Sequence, residues 1–181
     1  AYHTFRTMVA KNRQPVLLIE CNNQFEAQWW NELAAVMEEY LKLDAGTIKI
    51  IAALDSATGL VTAEAVVFEL QHRIVALQAD FKGKLINDLH ILQKKNDNII
   101  AERKSINIAE PSLQYFSKAV IDVARKHGLP AVAGLSINAA GQFVDYKDVS
   151  IAKYEEELAL VIASGFNAIM VSHQGYIEDV I

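Results

Sequence analysis

Short apolar runs recur six times along the chain, and each ends in a side chain able to do chemistry. The residues that end these runs are Glu20, Asp55, Asp80, Glu110, Ser136 and His173. Such runs are typical of parallel strands buried on both faces, and amphipathic segments lie between them. The pattern therefore predicts an α/β fold. In a barrel of this kind the carboxyl ends of the strands meet at one rim, where the active site lies.

The segments between the apolar runs predict the helices. Proline at position 111 suits a first helical turn, and Gly128 follows positive charge that suits a helix end. The sequence predicts helices over residues 1–12, 25–43, 62–72, 111–128 and 150–164, and irregular structure over 138–148.

The number of strands predicts an incomplete barrel. A closed (β/α)₈ barrel has eight strands and about 250 residues, whereas this chain has about six predicted strands in 181 residues. The edge strands of an open parallel sheet expose backbone groups that invite pairing with another chain. Either other protein chains cover the exposed edges of a TIM-barrel-derived parallel sheet, or the sheet has rearranged, and we expect the first.

Composition narrows the class of protein and its surroundings. Hydrophobic residues make up 52% and charged residues 22% of the chain, as in a soluble globular domain. A net charge of −5 without a run of Lys or Arg argues against nucleic acid as a partner. The single cysteine, Cys21, excludes an internal disulfide and fits a reducing, intracellular compartment. The sequence predicts neither a membrane-spanning segment nor a signal peptide.

Three stretches together resemble the malate synthase family. The first is QPVLLIECNNQFEAQWWNEL, which is similar to a strand followed by a helix of LEARLWND type. The second is LKLDAGTIKIIAALDSATG, in which GTIK matches the family pattern closely. The third begins at ERKSINIAEPSLQYF and continues through AVAGLSINAA, and GFNAIMVSHQG near the end resembles the family's GxDGTWVAHPG.

The resemblance implies a barrel enzyme that joins glyoxylate to the methyl carbon of acetyl-CoA to give malate. It also implies a Mg²⁺ ion held by a glutamate and an aspartate, an arginine that stabilises enolate charge, and an aspartate base from a C-terminal domain. A hard cation with oxygen ligands acts as a Lewis acid and orients the substrate. Residues 1–181 then form one malate-synthase-like barrel domain, with the first barrel strands and the C-terminal domain outside it.

The sequence departs from the family pattern at the positions that bind the metal in the family. The family's metal-binding glutamate falls on Asp55, which is one methylene shorter. The second ligand, in a GRWD motif, falls on Gly83 in an ungapped match, or on Asp80 if the loop is two residues shorter. The catalytic arginine and the base have no matching residue in the sequence.

Each candidate site residue has a structural alternative. Asp55 and Asp80 are either a surviving metal pair or carboxylates that cap helices and face solvent, and the sequence favours the second interpretation. His173 matches the histidine of the family's AHPG segment and is either catalytic or a structural hydrogen-bonding residue. Glu20 is a weaker candidate, and Glu110 before the proline is expected to begin a helix. Ser136 lacks a recognisable triad.

Two further features carry expectations. Cys21 has no nearby basic residue to lower its pKa, so we expect a small buried thiol rather than a reactive one. Trp29 and Trp30 are adjacent in a predicted helix, so both cannot face the core. The exposed tryptophan is a candidate for contact with a partner.

Two hypotheses for function follow. The first is a malate-synthase-like protein that is catalytically inactive and acts as a structural subunit of a larger complex, without a cofactor. The second is a Mg²⁺-dependent acyl-CoA or 2-oxo acid enzyme of malate synthase type, with groups supplied by partner chains. Either would suit an intracellular compartment, including a mitochondrial or peroxisomal matrix.

Overall fold

A computed structural model describes residues 7, 11, 14–80, 84–85, 87–88, 91, 110–134 and 158–170. Its core is a parallel five-stranded sheet in which the strand order follows the chain. The strands are β1 (Val16–Glu20), β2 (Lys49–Leu54), β3 (Ile74–Ala79), β4 (Ala131–Gly134) and β5 (Ala168–Met170). The helices are α1 (Gln24–Leu41), α2 (Ala57–Val61), α3 (Ala63–Glu69) and α4 (Pro111–Lys126).

Five of the six predicted strands are present, and the parallel α/β arrangement is confirmed. The remaining predicted strand, residues 106–110, lies outside the described residues except for Glu110. The predicted helix 1–12, the irregular stretch 138–148 and the first part of the helix 150–164 also lie largely outside the described residues.

The two faces of the edge strand β1 differ in burial. Side chains alternate along a strand, and Leu17 and Ile19 of β1 pack with the helices in the main core. Val16 and Leu18 point to the other face and are 44% and 49% exposed. The apolar sequence of β1 predicts burial on both faces, but only the helix side is covered.

Local capping explains where the helices begin and end. The Asn23 side chain accepts hydrogen bonds from two N–H groups of the first turn of α1, and Lys42 ends that helix with a positive φ of 57°. The predicted helix 62–72 is present as α3, but the sequence did not predict the short helix α2 that precedes it. Ser56 caps α2 by accepting from the Gly59 N–H at 3.0 Å, so helical structure begins at position 57 and is interrupted at Thr62.

A buried ion pair lies at the amino ends of the strands. Glu38 of α1 accepts hydrogen bonds from the Arg73 guanidinium, with Nη2 to Oε2 at 2.9 Å. The Ile48 and Gly46 N–H groups also donate to this carboxylate, at 2.7 and 3.1 Å. The Arg73 Nε donates to Asn31 Oδ1 at 2.7 Å. This network ties α1 to the segments that lead into β2 and β3.

Trp29 and Trp30 behave as the helix pattern predicts. Trp30 packs against the main core, whereas Trp29 is 56% exposed, and the two rings meet edge to face. Whether Trp29 contacts a partner stays a prediction.

Across the described helices, none is long and apolar enough to cross a bilayer.

Candidate functional site

Three carboxylates lie at the carboxyl edge of the sheet. Glu20 ends β1 and pairs with Ala53 of β2, and Asp55 follows the last residue of β2. The last residues of β2 and β3 are register partners, and the Asp80 N–H donates to the Leu54 carbonyl at 3.0 Å. Parallel pairing therefore places Glu20, Asp55 and Asp80 on three neighbouring strand ends, as the sequence predicted for the rim.

A lysine lies among these carboxylates. Lys84 Nζ is 3.3 Å from Asp55 Oδ2 and 3.4 Å from Glu20 Oε2. The Asp55 side chain is 6% exposed, whereas the side chains of Lys84 and Glu20 are 54% and 66% exposed. A mostly buried carboxylate is thus paired with an ammonium group that reaches it from the solvent side.

Asn22 completes the contacts of the buried carboxylate. We assign the Asn22 amide nitrogen to the side facing Asp55, because the opposite orientation places the amide oxygen among acceptors only. In the assigned orientation Asn22 donates to Asp55 Oδ1 and to Ser56 Oγ, and its oxygen accepts from Lys84 Nζ at 3.2 Å. Both oxygens of Asp55 are therefore engaged by groups of this chain. We call Glu20, Asn22, Asp55, Ser56 and Lys84 the Asp55 cluster.

The charge state of the cluster follows from its surroundings. Burial raises the pKa of Asp55, the ammonium of Lys84 lowers it, and the negative charges of Glu20 and Asp80 raise it again, with a net rise. Partial burial works against the charge on Lys84, but pairing with Asp55 and Glu20 outweighs it and raises the pKa of Lys84. The ammonium is therefore firmly charged, while Asp55 retains its proton more readily than an ordinary aspartate.

An open cleft adjoins the cluster. Its volume is about 440 Å³, and its lining residues are polar: Asn22, Ser56, Thr58, Lys84, Asn87 and Asp88. The Asp88 carboxylate accepts a hydrogen bond from the Ala57 N–H at 3.2 Å, at the start of α2. The polar side chains and backbone groups that line the cleft offer hydrogen-bonding partners next to the paired charges of Asp55 and Lys84.

The Asp55 cluster does not fit the Mg²⁺ ion that the resemblance implies. Mg²⁺ demands nearly octahedral oxygen coordination, but one Asp55 oxygen faces the Lys84 ammonium and the other faces the Asn22 amide. Within the part of the chain that the structure describes, no three Asp, Glu, His or Cys side chains are arranged to hold a metal ion. The metal role predicted for Asp55 and Asp80 stays untested.

The remaining residues that the sequence singled out are not members of the Asp55 cluster. Glu110 lies at the N-cap position of α4, where its carbonyl accepts from the Leu113 and Gln114 N–H groups, as expected for a helix-start residue. Cys21 is fully buried, and burial together with the nearby Glu26 charge raises the pKa of its thiol to about 12. It is the buried thiol that the sequence predicted. His173 and Ser136 lie outside the described residues.

Sequence reasoning missed several polar residues at this edge. Lys84 and Asn22 look like ordinary surface residues in the sequence. Gln78 of β3 is 2% exposed, and its Oε1 has no hydrogen-bond partner. The available signal for Gln78 was a polar residue inside the apolar run IVALQAD.

A parallel sheet flanked by helices, with polar groups gathered at the carboxyl ends of its strands, defines a TIM-barrel-type α/β domain. The family model of the malate synthase TIM-barrel domain matches residues 2–178. The chain therefore belongs to this family, which confirms the resemblance seen in its sequence.

Known relatives agree with this assignment. Malate synthase A of Escherichia coli is 20% identical over 175 residues, which is 96% of this chain but 33% of that protein. The glyoxysomal malate synthase of Candida tropicalis is 18% identical over 136 residues, which is 75% of this chain and 25% of that protein. The chain thus spans about a third or less of these relatives.

A solved structure shows the same fold. The Haloferax volcanii malate synthase in a magnesium and glyoxylate complex superposes with a TM-score of 0.66 and 13% identity. The superposition covers 99% of this chain and 49% of that one. At this level of identity the similarity supports the fold, and the local chemistry must be read from the residues of this chain.

Proposed function

We propose that this malate-synthase-like TIM-barrel domain has no Mg²⁺-dependent malate synthase activity of its own and acts as a structural subunit of a protein assembly. The observation that carries the proposal is the pairing of Asp55 with Lys84 at 3.3 Å. Asp55 is the position that matches the family's metal-binding glutamate. A carboxylate already neutralised by an ammonium is a poor ligand for a divalent ion.

The proposed assembly role depends on the β1 edge of the described sheet. Val16 and Leu18 are 44% and 49% exposed on the face away from the helices, and β1 has one paired neighbour, β2. Phe25 and Trp29 of the adjacent α1 are 72% and 56% exposed. Exposed apolar strand edges favour pairing with another chain, and aromatic side chains are enriched at interface cores.

The catalytic half of the proposal is tested by measuring malate formation from glyoxylate and acetyl-CoA with Mg²⁺. We expect no turnover above the uncatalysed reaction. A rate of about 1 s⁻¹ or more, the low end for typical enzymes, would show that the domain is an active enzyme.

The assembly half is tested by the native mass of the untagged protein under mild conditions. We expect a species larger than the 20.1 kDa chain, and we expect Leu18→Lys to reduce its population. Val61→Lys is the matched control, because Val61 is 85% exposed but lies on α2 rather than on β1. A monodisperse 20.1 kDa monomer would contradict the assembly role.

The alternative is a Mg²⁺-dependent enzyme acting on a CoA thioester or a small 2-oxo acid, completed by partner chains. The observation in its favour is that Asp55 and Asp80 follow register partners at adjacent strand ends, beside an open cleft. Calorimetry with Mg²⁺ distinguishes the two proposals. A binding isotherm in the wild type that is lost in Asp55→Asn supports the enzyme, and the same absence of heat in both proteins supports the structural subunit. The glyoxysomal relative suggests an organelle matrix for either role.

A further inference from the structure

The contacts of Lys84 are those of a cation held in an oxygen-lined site. Its Nζ lies within 3.4 Å of two carboxylate oxygens, Asp55 Oδ2 and Glu20 Oε2, and the Asn22 amide oxygen faces it at 3.2 Å in the amide orientation assigned above. These residues come from the ends of β1 and β2 and the segment that follows β1. One positive charge therefore binds to the same edge of the sheet at which the family resemblance implies a metal.

The balance of charge explains why a cation is needed there. Glu20 and Asp55 both contact the ammonium, and Asp80 is close enough to raise the pKa of Asp55 by repulsion. Like charges gathered at one edge repel one another unless a positive group lies among them. Lys84 supplies one unit of positive charge, which leaves the edge net negative.

We infer that the Lys84 ammonium occupies the place of the divalent ion, so that this chain holds a built-in cation and excludes Mg²⁺ by competition. The inference deepens the proposed function and rests on its statement that the Asp55 cluster binds no divalent metal. It adds a specific cause: one side chain, rather than the shorter Asp55 carboxylate, prevents metal binding. Removing that ammonium should open a latent divalent-cation site.

The test is a titration of the protein with Mn²⁺, followed by the electron paramagnetic resonance signal of the free ion. Mn²⁺ takes the same oxygen ligands as Mg²⁺ and is directly visible. The variants are Lys84→Met and Lys84→Gln, which remove the charge and keep a stem of similar length, and Lys84→Arg, which keeps the charge. Lys126→Met is the matched control, because Lys126 pairs with Glu64 at 2.7 Å and is 66% exposed, far from the cluster in sequence.

We expect Lys84→Met and Lys84→Gln to bind Mn²⁺ at least about tenfold more tightly than the wild type, since a competing positive charge has gone. Lys84→Arg and Lys126→Met should bind as weakly as the wild type. Adding Asp55→Asn to Lys84→Met should abolish the gain, which places the new ion at the cluster.

The outcomes separate the inference from the function it rests on. Tight Mn²⁺ binding by the wild type that Asp55→Asn abolishes would overturn both. Weak binding by the wild type and equally weak binding by both uncharged Lys84 variants would overturn the inference alone. Thermal unfolding of each variant accompanies the titration, and the half-exposed Lys84 side chain gives no reason to expect a folding defect.

Discussion

The two ends of the sheet each hold an ion pair, and the pairs differ in burial and geometry. At the amino ends, the side chains of Arg73 and Glu38 are 7% and 3% exposed, and two guanidinium nitrogens contact the carboxylate. At the carboxyl ends, Asp55 is buried, but the side chain of its partner Lys84 is 54% exposed. The first pair is enclosed and fixed by several donors, whereas the ammonium of the second lies partly in solvent.

The pKa values of the two carboxyl groups diverge accordingly. Burial works against the charge on Glu38, but the Arg73 guanidinium and the Ile48 and Gly46 N–H groups outweigh it and lower its pKa. At Asp55, burial prevails over Lys84 and raises the pKa. The comparison teaches that Glu38 is built to stay charged for stability, while Asp55 is charged at a cost.

The largest expected effect comes from breaking the enclosed pair. Arg73→Met should lower the free energy of unfolding by about 3–5 kcal/mol, because it leaves Glu38 buried without its cation. Urea denaturation at neutral pH measures the loss. A loss below about 1 kcal/mol would show that the pair at the amino ends is no more important than a surface pair.

Glu38 and Asp55 should change the free energy of unfolding in opposite directions as the pH rises. The pKa of Glu38 is lowered from 4.5, so its contribution is present above that value and is lost as the pH falls through the lowered pKa. The pKa of Asp55 is raised from 3.8, so stability falls as the pH rises from 3.8 through the raised pKa.

Denaturation of Glu38→Gln and Asp55→Asn between acid and neutral pH measures these slopes. Relative to the wild type, Glu38→Gln should become less stable as the pH rises, and Asp55→Asn should become more stable. Parallel profiles for the two variants would mean that the two ends of the sheet are electrostatically alike.

Removing the exposed partner at the carboxyl ends should have a smaller effect. Lys84→Met should lower the free energy of unfolding at neutral pH by about 1 kcal/mol, because the ammonium is screened by solvent and Asp55 can take up a proton. The loss should shrink in high salt, which screens exposed charges. A loss as large as that of Arg73→Met would show that the exposed ammonium of Lys84 is not screened by solvent as its 54% exposure suggests.

The smallest effect is expected at an exposed ion pair that joins two helices. Lys126→Met removes an ion pair with Glu64 whose two side chains are 66% and 45% exposed. The free energy of unfolding should fall by less than about 1 kcal/mol. A larger loss would indicate that exposed ion pairs in this fold stabilise more than their burial suggests, and it would weaken the comparison.

The sequence predicts which residues lie at the strand ends better than it predicts which side chains contact one another there. Apolar runs bounded by polar residues place Asp55 and Asp80 correctly at strand ends, because parallel register brings consecutive strand ends together. The pairing of Lys84 with Glu20 joins residues 64 positions apart and depends on how the chain leaves β3. No local pattern distinguishes such a lysine from a solvated one.

The buried pair at the amino ends was missed for a related reason. Glu38 occupies a helix whose pattern includes neighbouring acidic residues, and Arg73 lies in a turn 35 positions away. The buried pair is therefore set by contacts between segments rather than by the periodicity within one segment. The split between α2 and α3 has a local signal instead, since Ser56 caps α2 through the Gly59 N–H three residues further on, and hydrophobic periodicity alone does not detect such a cap.

The most direct test of the account is a crystal structure of the wild-type protein soaked in Mn²⁺, with anomalous diffraction to locate the ion. If Lys84 occupies the place of the metal, no anomalous peak will lie within coordinating distance of Asp55, and the Lys84 ammonium will be ordered near its present 3.3 Å from Oδ2. A Mn²⁺ peak at about 2.0–2.2 Å from an Asp55 oxygen, with Lys84 displaced into solvent, would contradict it.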